Sequence, residues 1–314
     1  VQLNNEIRLL GADLYADKNK LKELSYWFRV LNRPNGWHYD LDHIWVLQEL
    51  EKAGIMPGST IVDAGAGQGV MQYLLAARGY NVISLDFSTR TIPGRTLGVF
   101  NVVGEGDADI AYQHPYMKFI SYGDHSSAGW MGIFRLAKLK KVLLLPGRML
   151  RYANSVLFYL HERFTKNHGK YGKVTYLRAA FHEVPLDAAS VDAVVSISAI
   201  EHADIKIFKD NIKELLRLLK PKAPLLLTTS ATVSDETNYH EKTSGWCFSR
   251  SALEGYFPEC EIKFDPDKCA RSLMGSEVFI DRLDPYYYQD KDSFCYKKVV
   301  TELPYLPVAV KVVK

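Results

Sequence analysis

The sequence predicts an α/β protein built on a doubly wound, mostly parallel sheet, with an N-terminal helical layer and a largely helical insertion after the second core strand. Three observations carry this expectation. Apolar runs rich in β-branched residues alternate with amphipathic helical stretches. Those runs do not alternate apolar with polar residues, as strands covered on both faces should not. The stretch 61–69, IVDAGAGQG, sets a glycine-rich turn between a strand and a helix.

At 314 residues, 47% hydrophobic and 24% charged, the chain can bury a core of one elaborated domain or two. Residues 5–30 lack turn signals and repeat apolar residues at three and four, which predicts the helical layer over 1–54. NRPNG at 32–36 interrupts it. Asp40 or Asp42 is then placed to cap a helix over LDHIWVLQELEKAG, with Ile44, Leu47 and Leu50 on one face and Gly54 as the stop. TIVDA is a buried strand, VMQYLLAARG a helix closed by Gly79, and NVISLDFS a second strand ending in Asp86. Together they make one βαβ unit whose right-handed crossover sets the strands parallel and adjacent. The next strand pattern, KVTYLRA at 173–179, stands almost 90 residues past Asp86, so 91–172 reads as an inserted subdomain. The sheet domain is then 55–90 with 173–314. VDAVVSISA (191–199) and APLLLTTS (223–230) are further buried strands. Between them lies an amphipathic helix with Phe208, Ile212, Leu215, Leu216 and Leu219 on one stripe and Asp204 as cap. SRSALEGYF follows as a helix, CEIKF as a strand, and YLPVAVKVVK as the last strand.

Several function classes drop out on composition. No apolar run reaches the ~18 residues of a membrane span, the longest greasy piece being VLLLP at 142–146. The start shows no secretory pattern, which predicts a cytoplasmic setting. Cys247, Cys260, Cys269 and Cys295 form no CxxC pair, so reduced thiols and no structural zinc are expected. Net charge is +3, but 131–173 holds ten Lys and Arg against the single Glu162, a net +9 that suits an anionic partner.

A doubly wound sheet binds its ligand beyond the carboxyl ends of the strands, beside the switch point. Gly65, Gly67 and Gly69 occupy that place, free to take positive φ and to let a ligand lie on the main chain. Asp86, 17 residues beyond Gly69, is placed to accept from two ribose hydroxyls. A dinucleotide fingerprint is GxGxxG; here the spacing is GxGxG, with Asp63 two residues ahead. That carboxylate would repel a pyrophosphate and favour a cation.

Four pieces in order, VDAGAGQG (62–69), VISLDFS (82–88), HEVPLDAASVDAVVSISAIEH (182–202) and LLRLLKPKAPLLLTT (215–229), make the sequence resemble the class I S-adenosylmethionine-dependent methyltransferases. The resemblance covers roughly 55–232 apart from the insertion. It implies a Rossmann-like methyltransferase fold with S-adenosyl-L-methionine as cofactor. It also implies that Asp63, Gly65, Ala66, Gly67, Gln68 and Gly69 face the methionine part, that Asp86 binds the ribose and Phe87 flanks the adenine, and that Ser198 lies at the ligand's edge. Ala180, before Phe181, replaces the family's usual acidic residue, so adenine would be held by backbone and packing. KPKAP stands where KPGG is usual.

Methyl transfer needs donor and acceptor aligned and, for a hydroxyl or ammonium, a proton removed. AIEH puts Glu201 and His202 just after the strand at 191–199, with His202 as base or orienting group and Glu201 as a partner for orientation. The polar loop SDETNYHEKTSGW (234–246) offers His240 as a second base; its acidic residues lack metal-ligand spacing, so no metal is expected. His38 and Tyr39 either line the cofactor pocket or pack the N-terminal layer. The predicted reaction is O- or N-methylation of a small anionic acceptor such as a sugar, nucleotide-linked sugar or natural-product intermediate. A lipid-linked acceptor is the alternative, with 131–173 serving either as a lid or as a peripheral contact with the inner membrane face. No RNA-binding module is evident, and an NAD-dependent oxidoreductase is the rival from another class.

Overall fold

The computed structural model describes residues 4–33, 36–105, 111–113, 145–165 and 170–314. The strands, in chain order, are β1 (Glu6–Leu9), β2 (Thr60–Ala64), β3 (Asn81–Asp86), β4 (Thr91–Pro93), β5 (Val102–Glu105), β6 (Ala111–Gln113), β7 (Val174–Arg178), β8 (Ala193–Ile197), β9 (Pro224–Ala231), β10 (Asn238–His240), β11 (Gly245–Phe248), β12 (Glu261–Lys263) and β13 (Leu306–Val313). The helices are α1 (Lys18–Leu31), α2 (Tyr39–Lys52), α3 (Met71–Ala77), α4 (Gly94–Leu97), α5 (Leu145–Phe164), α6 (Phe208–Leu218), α7 (Arg250–Tyr256), α8 (Pro266–Met274), α9 (Glu277–Arg282) and α10 (Pro285–Gln289).

The main sheet runs β12-β1-β13-β9-β8-β2-β3-β7-β5. From β5 through β9 all neighbours are parallel, whereas β13 returns antiparallel along β9. The doubly wound, mostly parallel sheet is therefore as the apolar runs predict. Every residue of β9 is buried, and β2 is buried from Ile61 to Ala64, because helices cover both faces. From β2 the chain moves to β3 and β7 on one side, then crosses to β8 and β9 on the other. The switch point thus lies between β2 and β8, directly beside the glycine loop.

Several elements differ from the sequence expectation, each for a visible reason. The N-terminal layer is not wholly helical: Glu6–Leu9 alternates partly buried and buried residues and joins the sheet between β12 and β13. The helix after NRPNG starts at Tyr39, so Asp40 and Asp42 lie inside its first turn rather than capping it. Asp40 instead accepts from Arg282 Nε at 2.5 Å, and Asp42 pairs with His38. The insertion supplies β5, an edge strand of the main sheet beside β7, in addition to helix α5. The loop at 234–246 is partly a β-hairpin, β10 with β11. Its second strand continues parallel to β9 at Ser230 and Ala231, in the lane that β8 vacates after Ile197. Asp204 accepts from Lys206 N at 2.9 Å, opening a 3-10 turn that leads into α6.

Helix α5 packs on α1, where the hydroxyls of Tyr26 and Tyr171 both donate to Glu162 and Ser155 Oγ donates to Arg29 O at 2.6 Å. Of the basic block, Arg135, Lys138, Lys140, Lys141 and Lys166 lie outside the described residues. Among the described residues no helix is long and apolar enough to cross a membrane. A buried ion pair, Lys311 Nζ to Glu49 Oε2 at 2.8 Å, ties β13 to α2. Glu49 keeps a second partner in Lys52 at 2.6 Å, so Lys311→Met should cost only about 1–2 kcal/mol. Urea denaturation monitored by circular dichroism measures this, and a loss above about 4 kcal/mol would mean that Lys52 does not compensate.

Candidate active site

Parallel strands β2, β3, β8 and β9 end at one edge of the sheet, and antiparallel β13 begins there. At that edge the chain turns sharply after Ala64: Gly65 N and Ala66 N both donate to Leu85 O, at 2.8 and 3.0 Å, and Gly69 N donates to Ala66 O at 2.8 Å. Gly65 and Gly67 have φ of +72° and +47°, a region that side chains disfavour. A Cβ on Gly65 would stand 2.4 Å from Ala199 Cβ and 2.8 Å from Phe181 Cζ, so this glycine is demanded by close packing within the chain. Gly67 faces open space, with nothing nearer to such a Cβ than Asp86 Oδ2 at 3.8 Å. It is Gly67, then, that leaves room for a ligand.

A buried polar network holds the loop from below. Arg90 Nη1 donates to Ser84 Oγ at 2.6 Å, Ser84 Oγ donates to Gln72 Oε1 at 2.6 Å, and Gln72 Nε2 donates to Gly69 O at 3.0 Å. The guanidinium of Arg90 also lies 4.3 Å over the Tyr176 ring. Asp63 stands beside this network, 2% exposed, and its Oδ2 has no hydrogen-bond partner among the described residues. Burial pushes its carboxyl up to about 7; the Arg90 charge opposes this, and Asp86 adds to it. The Gln72 backbone N–H donates to this carboxylate and also opposes the shift, but a buried oxygen left unpaired is costly, and a cationic ligand group would supply Oδ2 with a partner.

Asp86 does lie at the loop, although the chain already uses both of its oxygens. Oδ2 accepts from Gly67 N at 2.8 Å, and Oδ1 accepts from Ser88 N at 2.8 Å and Ser88 Oγ at 2.5 Å. Oδ2 therefore keeps one lone-pair site for a sugar hydroxyl, where the sequence suggested a grip on two. Ser198, at the end of β8, has φ +41° and a buried hydroxyl unpartnered among the described residues. Phe87 is 74% exposed on the rim, Ala180 and Phe181 are half-buried, and Gln68 is exposed, accepting from Arg33 Nη2 at 2.9 Å. A buried acid with one unpaired oxygen, an open glycine and an unpartnered hydroxyl along one edge fit an adenosyl group bearing a cationic tail.

The other end of the edge gathers the proton-handling side chains. Glu201 and His202 lie in a 3-10 turn after β8, under the β10–β11 hairpin. Gly245 permits that closeness, since a Cβ there would come to 3.2 Å from Glu201 Cγ and His202 Cε1. His202 is exposed, with Nδ1 at 2.9 Å from Ser244 O, so Nδ1 carries the proton and Nε2 is the basic nitrogen. Glu201 is buried, and Oε2 has no partner among the described residues. Burial pushes its carboxyl up, opposed by the charges of His202 and His38. His240 bonds Thr243 Oγ1 through Nδ1 at 2.9 Å, and its ring centroid lies 5.7 Å from that of Tyr305. His38 precedes α2 and is buried; its Nδ1 is 2.7 Å from Asp42 Oδ2 and its Nε2 is 3.3 Å from the Tyr305 hydroxyl. Tyr39, half-buried, is raised by burial and by Glu201.

The structure thus divides the sequence-predicted residues into two groups. Asp63, the glycine loop, Asp86 and Ser198 line one part of the edge; Glu201, His202 and His240 line another, and His38 and Tyr39 stand with this second group. Sequence reasoning missed Arg90, Asp42 and Tyr305. Only the position of Tyr305 as first residue of the predicted last strand hinted at its place, and that required knowing the strand to be antiparallel. No metal-binding cluster occurs among the described residues.

Comparison with known proteins adds to this geometry. Residues 151–227 match a family model described as a methyltransferase domain, a span holding β7, β8, α6 and the first half of β9. The chain carries this methyltransferase-domain match over about a quarter of its length. Among solved structures, it is similar to a methyltransferase of Methanosarcina mazei (14% identity, 86% of this chain and 96% of that one, TM-score 0.42). It is also similar to phospholethanolamine N-methyltransferase 2 of Haemonchus contortus (14% identity, 96% and 59%, TM-score 0.45) and to the cyclase SpnF (13% identity, 99% and 99%, TM-score 0.47). No curated protein matches in sequence.

Proposed function

We propose that the chain transfers the methyl group of S-adenosylmethionine to an oxygen or nitrogen of a small molecule seated between the β10–β11 hairpin and the start of α2. The observation that carries this reading is the unpaired Oδ2 of buried Asp63 together with the open Gly67, at the same edge as the His38, Tyr305 and His240 cluster. The sulfonium supplies an activated methyl group. Asp63 would hold the ammonium of the methionine part, Asp86 Oδ2 and the Gly67 main chain the ribose, and Phe87 and Phe181 the adenine. At the acceptor end His202 Nε2 accepts a hydrogen bond from the acceptor and, with Glu201, orients it. A neutral sugar or natural-product intermediate suits this arrangement. An anionic acceptor draws no support from this end: the charges acting most strongly on Glu201 are histidines, and Asp42 lies close by. One observation favours a lipid-linked acceptor as the second reading: Leu150, Leu157 and Phe164, spaced by seven on α5, are 74%, 66% and 72% exposed.

The test is incubation with methyl-tritiated S-adenosylmethionine and an extract of the source cells, separated into aqueous and lipid fractions. Label in a small aqueous molecule, with His202→Gln slowing its formation at least roughly 100-fold, is the expected result. Label in the lipid fraction alone would replace the acceptor class, and no label in either would remove the proposed activity.

A further inference from the structure

We propose that Asp42, His38 and Tyr305 form a proton relay serving the methyl acceptor, with Tyr305 as the catalytic residue and the other two positioning it. The proposal rests on the methyltransferase reading above and names a further group in the same site.

The hydrogen-bond inventory fixes each proton. Trp37 Nε1 lies 3.0 Å from the Tyr305 oxygen and can only donate, so it occupies one of the two lone pairs of that oxygen. On the imidazole, Nδ1 faces Asp42 Oδ2 at 2.7 Å; a carboxylate accepts, so Nδ1 holds the proton and Nε2 is bare. The phenol proton therefore points to Nε2, 3.3 Å away. One lone pair of the Tyr305 oxygen is left for a proton arriving from an acceptor.

Position agrees with this use. Tyr305 immediately precedes Leu306, which pairs with Ala231 at the carboxyl end of β9, so the phenol stands at the edge that carries Ser198, Glu201 and His202. Asp42 and His38 are 0% and 2% exposed, which shields the relay from water. Other groups also face His38: Tyr39 beside it, Glu201 from the turn after β8, and His43 further along α2.

The step balances. As the acceptor's oxygen or nitrogen bonds to the methyl carbon and the carbon–sulfur bond breaks, the acceptor proton passes to the Tyr305 oxygen and the phenol proton to His38 Nε2. The sulfonium charge disappears while an imidazolium charge forms against Asp42. His38 returns the proton to solvent through Tyr305 after product leaves. The route requires His38 to be neutral at the start, and this gives the rate an acidic limb.

The test compares the full chain with Tyr305→Phe, His38→Gln and Asp42→Asn, measuring S-adenosylhomocysteine binding by calorimetry. Turnover is measured as tritium transfer from S-adenosylmethionine into the small-molecule extract, across pH. The expected result is a roughly 100-fold or greater loss of kcat in Tyr305→Phe, with S-adenosylhomocysteine affinity within about twofold of wild type. His38→Gln should lose the acidic limb as well as rate. Asp42→Asn should move that limb even if Tyr305→Phe folds poorly, which a purely structural tie between α2 and β13 would not do. Turnover of Tyr305→Phe near wild type, or a limb unchanged in both His38→Gln and Asp42→Asn, overturns the relay while leaving the methyltransferase reading intact. Wild type that fails to bind S-adenosylhomocysteine or to transfer label overturns that reading, and the relay with it.

Discussion

Asp63→Asn is expected to weaken S-adenosylmethionine binding about 100-fold, close to 3 kcal/mol, and to abolish the proton release that accompanies it. In the free protein burial holds the carboxyl up to about 7. An ammonium brought against it favours the ionised form, so binding lowers that value and releases a proton near neutrality. Affinity of the wild type should therefore rise with pH from about 5 to 8. The free protein should show the opposite trend in stability. A carboxyl raised above its unfolded value of roughly 3.9 contributes fully below that pH, and the contribution is lost as pH rises through the folded value. The loss amounts to at most about 4 kcal/mol, and Asp63→Asn should remove it, melting above wild type at pH 8 in the absence of ligand. Calorimetric titration in two buffers of different ionisation enthalpy reads the proton directly. Binding without proton release at pH 7 would show that Asp63 does not meet the cofactor.

Gly65→Ala is expected to lose cofactor binding and about 3 kcal/mol of stability together. Its φ of +72° costs an L side chain roughly 1–2 kcal/mol. Overpacking adds about another 1–3 kcal/mol, because the new methyl would meet Ala199 Cβ at 2.4 Å and Phe181 Cζ at 2.8 Å. Relief requires moving the turn after β8 or the loop after β7, and both border the ligand edge. Gly67→Ala is the contrast: its Cβ meets nothing closer than 3.8 Å, so only the φ penalty applies. Thermal melts of the two variants, each with and without S-adenosylhomocysteine, measure the difference. Equal melting temperatures would mean that the packing around Gly65 gives way freely.

The core of the fold was legible because its signals are local. A strand, a glycine turn, a helix and a second strand within 60–86 leave little choice of topology, and each carries its own period or punctuation. β1 was not legible, since Glu6–Leu9 is short and its partners, Glu261–Lys263 and Val308–Lys311, stand about 250 and 300 residues away. β5 is equally short, and its place beside β7 depends on a crossover that no local pattern announces. The site divides in the same way. Asp63, Gly67 and Asp86 lie on consecutive elements whose geometry the motif dictates. Tyr305 reaches the site only because β13 runs antiparallel, and Arg90 matters only because the chain folds back beneath the loop to reach Ser84. Asp42 read as a helix cap because helix starts are predicted from side-chain type, whereas here His38 competes for its carboxylate.

Titrating the full chain with S-adenosylhomocysteine and, separately, with NAD tests the central assignment most directly. One site per chain for S-adenosylhomocysteine, lost in Gly65→Ala, with no heat from NAD, is the predicted result. A saturable signal from NAD with none from S-adenosylhomocysteine would contradict it.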